Sequence, residues 1–112
     1  MNNFKFSDSS KSRMDGVDAR LIRIANRAIQ ISRIDFGIPQ HGGKRSRKVQ
    51  LGLFVAGKSK CDGMNDISKH QKAIALDVYA YVDGKASWEP LHLAMVACAM
   101  LQAAGELGYK LK

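Results

Sequence analysis

From Val17 the apolar positions Val17, Leu21, Ile24, Ala28 and Ile31 recur at helical spacing, with Arg20, Arg23 and Arg27 forming a neighbouring polar stripe. This predicts an amphipathic helix from Gly16 to about Ser32. Ile34-Asp35-Phe36-Gly37-Ile38 alternates and stops at Pro39, which predicts a short strand leading into the Gly42-Gly43 turn. A second helix is expected over residues 45–56, where Val49, Leu51, Leu53, Phe54 and Val55 precede a capping Gly57, with Gly52 as its weak point. Residues 57–69 read as a polar loop. Leu76, Val78, Ala80 and Val82 alternate with Asp77, Tyr79, Tyr81 and Asp83, so a strand follows, and Asp83-Gly84 signals a two-residue hairpin with its return over residues 85–88. Residues 89–107 are apolar nearly all round and end at Gly108, which predicts a central core helix, with Ser87 available to cap it and residues 109–111 turning extended. The first 15 residues are polar, and Phe4 and Phe6 alone could dock them as an arm.

At 112 residues the chain suits one α+β domain over residues 16–112 behind that arm. No apolar run is expected to reach membrane-span length, and the N-terminus lacks the apolar stretch of a secretory signal, so synthesis is expected in the cytosol, with any action on a cell wall requiring release or export. Cys61 and Cys98 show neither a disulfide framework nor a CxxC spacing and are expected to be reduced. The net charge of +8, with a second basic cluster at Lys44, Arg45, Arg47 and Lys48, suits an anionic partner such as nucleic acid or a cell-wall polymer, and a merely solvated basic surface accounts for it equally well.

The chemistry centres on His70 and Asp77, two residue types that bind metal. On one strand they would lie roughly 23 Å apart and on one helix roughly 10 Å, so both reach one ion only if the chain reverses between them, for which Lys72-Ala73 is the obvious place. Catalytic zinc usually takes three protein ligands and keeps a fourth position for water. His92 reads as a core or cap histidine and His41 as an exposed loop residue within reach of a substrate. Glu89 and Glu106 have no ligand spacing to a histidine, and the Ser68 hydroxyl could support the site from beside His70.

The order Ser68-x-His70-x-x-x-x-Ala75-x-Asp77, preceded by Arg45 after Gly42-Gly43, resembles the zinc D-alanyl-D-alanine carboxypeptidase and L-alanyl-D-glutamate endopeptidase family, which cuts peptidoglycan stem peptides and includes phage endolysins. The likeness runs through Phe4-Lys5-Phe6-Ser7, residues 34–45, 59–63, 68–70 and 75–88. It implies a small α+β, hedgehog/DD-peptidase-like domain with a short antiparallel sheet packed on helices. It also implies Zn2+ held by His70 and Asp77, an Arg45 that stabilises charge developing on the scissile carbonyl, and substrate-side roles for Gln50 and Ser68. Two departures stand out. Ala73 occupies the glycine position of the pattern, worth on the order of 1 kcal/mol if a positive φ is required there. The family's final segment, with a carboxylate base and a third zinc histidine, is expected after Leu111. The expectation is therefore a C-terminally truncated peptidase of phage or prophage origin, lacking the final strand region, weak in zinc binding and prone to self-associate through an exposed edge. The alternatives are a non-catalytic peptidoglycan-binding remnant and a small basic nucleic-acid-binding protein. The choice between carboxypeptidase and endopeptidase specificity stays open.

Overall fold

The computed structural model describes residues 2–63, 69 and 75–110. Along the chain come α1 (Asp8–Arg13), α2 (Ala19–Ile31), β1 (Asp35–Gly37), α3 (Arg47–Val55), β2 (Tyr79–Val82), β3 (Lys85–Ser87) and α4 (Pro90–Leu107). The strands form an antiparallel sheet in the order β1-β2-β3, pairing Phe36 with Ala80 and Tyr81 with Ala86. The α+β class expected from the pattern is the class observed.

Three helices begin where a polar side chain satisfies one of their first N–H groups. Ser7 accepts from Ser10 N–H, Asp18 from Arg20 N–H and Ser46 from Val49 N–H. The fourth, α4, starts at Pro90 behind Glu89 with no side-chain cap, and Ser87, expected to cap it, instead accepts from Glu89 N–H. The β2–β3 turn uses Asp83 at φ 53° and Gly84 at φ 78°, both left-handed, as a two-residue turn matched to strand twist requires. Gly108, at φ 78°, ends α4.

The core joins Ile24, Ala25, Ala28 and Ile29 of α2 to Val96, Ala99, Ala103 and Ala104 of α4, with Phe36 and Ala80 from the sheet and Ile38 just after β1. Small residues on α4 let it approach α2 closely. The two helices are also tied at the surface, since Arg27 Nε lies 2.6 Å from a carboxylate oxygen of Glu106. The Arg27 guanidinium holds the Glu106 carboxyl below the usual carboxylate range. A depressed folded-state pKa contributes stability above the unfolded value, and that contribution is lost as pH falls through the folded one. Glu106→Gln should therefore lower the thermal midpoint at neutral pH, and the gap from wild type should close in acid. Parallel melts across pH check this.

Four expectations are changed by the structure. The N-terminal segment does dock through Phe6, and it also forms the helix α1 and docks through Ser10 and Met14. Phe6 packs edge-on to Phe36 at 5.3 Å, Ser10 and Met14 are buried, and the Ser10 hydroxyl accepts from Ile38 N–H. The short helix α1 escaped notice because its residues are polar and six positions show little periodicity. Second, α4 buries one face only. Leu91 is 71% and Leu101 60% exposed, because the small residues of the opposite face, rather than the bulky ones, meet α2. Third, Pro90–Leu107, at 18 residues and mean hydropathy 1.2, is long and apolar enough to cross a membrane by length and composition. In this fold it is a helix packed on the core. Fourth, the strand expected from Leu76 starts at Tyr79, and residues 75–78 lie outside the strand pairing.

Candidate active site

Three segments meet around one guanidinium. The first is the tight turn at residues 39–43, where Gly42 N–H donates to the Pro39 carbonyl and His41 adopts φ 61°. A left-handed conformation is uncommon for a residue with a side chain, though histidine tolerates it better than most. Here it turns the imidazole outward and leaves the backbone carbonyl facing Arg45, whose Nε donates to it at 2.8 Å. Gly43 is squeezed against α1, and a Cβ there would fall 1.9 Å from the Arg13 carbonyl oxygen.

The second segment is α3, which buries a single residue, and that residue is polar. Gln50 is 0% exposed. Its Oε1 accepts from Arg45 Nη1 at 3.2 Å, while its Nε2 donates to Ser59 Oγ and to the Cys61 carbonyl, both at 2.7 Å. Leu51, Phe54 and Val55 of the same helix are exposed.

The third segment is the stretch preceding β2. Asp77 N–H donates to the Gly42 carbonyl at 2.8 Å, which moors this strand-like piece to the glycine turn. The Asp77 carboxylate then meets Arg45, with Oδ2 3.1 Å from Nη2. Arg45 is largely enclosed, its side chain 12% exposed, whereas that of Asp77 is 51% exposed. The fork of Arg45 is thus fixed on three sides by a carbonyl, an amide oxygen and a carboxylate, a geometry that a planar guanidinium satisfies and an ammonium does not.

The structure brings together Arg45, Gln50 and Asp77 of the residues singled out in the sequence. Ser68, His70 and the Lys72-Ala73 turn lie outside the described residues. Gln50, expected to touch substrate, has its amide engaged on both sides within the protein in this conformation. His92, in the first turn of α4, bonds through Nδ1 to Ser87 Oγ at 2.7 Å. Sequence reasoning missed the His41, Gly42 and Cys61 carbonyls and the Ser59 hydroxyl. Backbone acceptors leave no mark in a sequence, and Ser59 stands nine positions from its partner.

Comparison with known proteins bears on this arrangement. Residues 2–112 match the sequence model of the phage L-alanyl-D-glutamate peptidase family. The chain belongs to that family. It is 34% identical over 110 residues to the L-alanyl-D-glutamate peptidase of Escherichia phage T5, an alignment that takes in 97% of this chain and 78% of that protein. Its fold superposes on the crystal structure of the Serratia marcescens L-Ala D-Glu endopeptidase ChiX with a TM-score of 0.79 at 30% identity, covering 95% of this chain and 76% of that one.

Among the described residues no three His, Cys, Asp or Glu side chains converge on one point. Asp77 is a hard oxygen donor, half open to solvent, and so fits one ligand position of a divalent ion.

Proposed function

We propose that this chain is a hydrolase of peptidoglycan stem peptides, cutting the amide between L-alanine and D-glutamate, in the phage-driven breakdown of a bacterial cell wall. The observation that carries this reading is the juxtaposition of a braced, nearly buried Arg45 with a solvent-facing Asp77 in a chain of this family.

The proposed cofactor is zinc, with Asp77 and His70 as two of its ligands. Asp77 supports this by chemistry and exposure, and His70 by its place in the sequence pattern. When bound, the ion would supply Lewis-acid polarisation and lower the pKa of bound water. The chain's own contribution is Arg45. Among the described residues its three protein partners use three of the five guanidinium N–H groups, which leaves one on each Nη nitrogen for the carbonyl of a bound peptide. Because the guanidinium is already fixed, it need not reorganise as negative charge develops on that oxygen. Water adds to the amide carbon, the C–N bond breaks, and the amine leaves with a proton.

The nucleic-acid alternative draws less support. Of the α2 arginines, Arg20 pairs with Asp18, Arg27 with Glu106, and Arg23 donates to the Tyr109 hydroxyl. That stripe is partly committed within the protein, which leaves the exposed Lys44, Arg47 and Lys48 as the better candidates for an anionic wall polymer.

The test is digestion of a defined muropeptide with the purified chain, with mass spectrometry of the products and elemental analysis for zinc. New L-alanine C-termini and D-glutamate N-termini are expected, with bound zinc reduced in His70→Ala and Asp77→Asn. Binding to sacculi without cleavage, at saturating zinc, would establish the non-catalytic alternative instead.

A further inference from the structure

We infer that Gln50 is a positioning residue that acts through Arg45, coupling the guanidinium to the loop at residues 59–61. The inference rests on the proposed role of Arg45 at the scissile carbonyl.

A buried glutamine at the centre of a site is informative because its two ends are chemically different. The guanidinium can only donate, so it must face Oε1. The Cys61 carbonyl can only accept, so it must face Nε2. Both neighbours therefore dictate the same amide orientation, and a flipped amide would set donor against donor and acceptor against acceptor. Ser59 Oγ fits this orientation, accepting from Nε2 and from Cys61 N–H. The chain closes into a small ring of polar contacts with Gln50 as its hub. No other residue of α3 is buried, so the helix's one inward commitment is this adaptor.

Each substitution has a distinct consequence. Glutamate keeps the acceptor toward Arg45 but turns a carboxylate oxygen against the Cys61 carbonyl. Methionine has similar length and satisfies neither end. If the hub serves to hold Arg45, the two variants should separate: the guanidinium stays braced in Gln50→Glu and loosens in Gln50→Met. A residue that only filled space would rank them the other way.

The experiment has two arms. In nitrogen-15 NMR of the full chain, the Arg45 Nε–H, bonded to the His41 carbonyl, is expected as a slowly exchanging signal that is assigned by its loss in Arg45→Ala. It should persist in Gln50→Glu and broaden or vanish in Gln50→Met, with the folded amide spectrum otherwise retained. In muropeptide kinetics, Gln50→Met should lower kcat by about ten- to a hundredfold, the range a misplacement on the order of 1 Å can produce, with little change in KM. The same substitution placed in Arg45→Ala should lower kcat no further. An unchanged Arg45 signal in both variants, or an undiminished kcat effect in the Arg45→Ala background, would overturn the inference. Should the wild-type chain fail to cleave, the functional proposal falls, and the NMR arm still decides whether Gln50 holds Arg45.

Discussion

Arg45→Ala is expected to reduce muropeptide hydrolysis about 10²–10³-fold, the loss typical of removing one fixed donor to a developing oxyanion. Most of the loss should appear in kcat, because a contact strengthened only in the transition state contributes little to ground-state affinity. Arg45→Lys should recover little of it. The His41 carbonyl, Gln50 Oε1 and Asp77 Oδ2 sit at three edges of a planar fork, and a single ammonium cannot meet all three while still presenting a donor to substrate. The alanine variant should also be less stable by about 1–3 kcal/mol, since Gln50 Oε1 would be left buried without its donor. Steady-state kinetics with a urea titration separates the two effects. Activity within a few-fold of wild type in a folded Arg45→Ala protein would remove Arg45 from the chemistry.

The second large effect is expected at Gly43. A Cβ built there lies 1.9 Å from the Arg13 carbonyl oxygen, and the obstacle is backbone, which cannot rotate away as a side chain can. Gly43→Ala must push the turn off α1, at roughly 3 kcal/mol, the upper end of overpacking costs. The damage should extend to the site, because the neighbouring Gly42 carbonyl moors Asp77 and the His41 carbonyl orients Arg45. Gly52→Ala is the matching control. It lies within α3, a Cβ there meets nothing within 4 Å, and the exchange should stabilise the protein by about 0.5–1 kcal/mol through helix propensity alone. Denaturant midpoints that moved in the same direction for both glycines would contradict the packing account.

Much of the fold was legible where periodicity and local chemistry agreed. The α2 stripe, the Asp83-Gly84 hairpin and the Gly108 stop are each set by interactions within a few residues, so local sequence predicts them. Position Asp18 starts α2 for the same reason, by capping its own helix. Expectation failed where the deciding partner is remote. The residues of α1 look like a polar arm until Ser10 meets the backbone of Ile38, 28 positions away. The α4 pattern, apolar on every side, cannot tell which side α2 will cover, and the small residues were chosen because they permit close approach. In α3 the hydrophobic positions predicted a helix without saying which residue it would bury, and the structure turns Gln50 inward, since two acceptors and a guanidinium await it there.

The candidate site divides in the same way. Its residue types and order, Gly42-Gly43, Arg45, Gln50 and Asp77, could be named from the sequence, because they fall in the order of motifs that resembles the peptidase family. That Arg45 and Asp77 touch could not be named, being a contact across 32 positions. Nor could the work of the His41, Gly42 and Cys61 carbonyls, since every residue carries the same carbonyl and only the folded backbone decides where it points. The sequence by itself determined the family, the α+β class and the chemical vocabulary of the site, for these depend on residue identity and local spacing. The tertiary structure alone decided that Arg45 is held from three sides and that Gln50 is the adaptor behind it, because orientation arises from contacts between segments that the chain brings together only on folding.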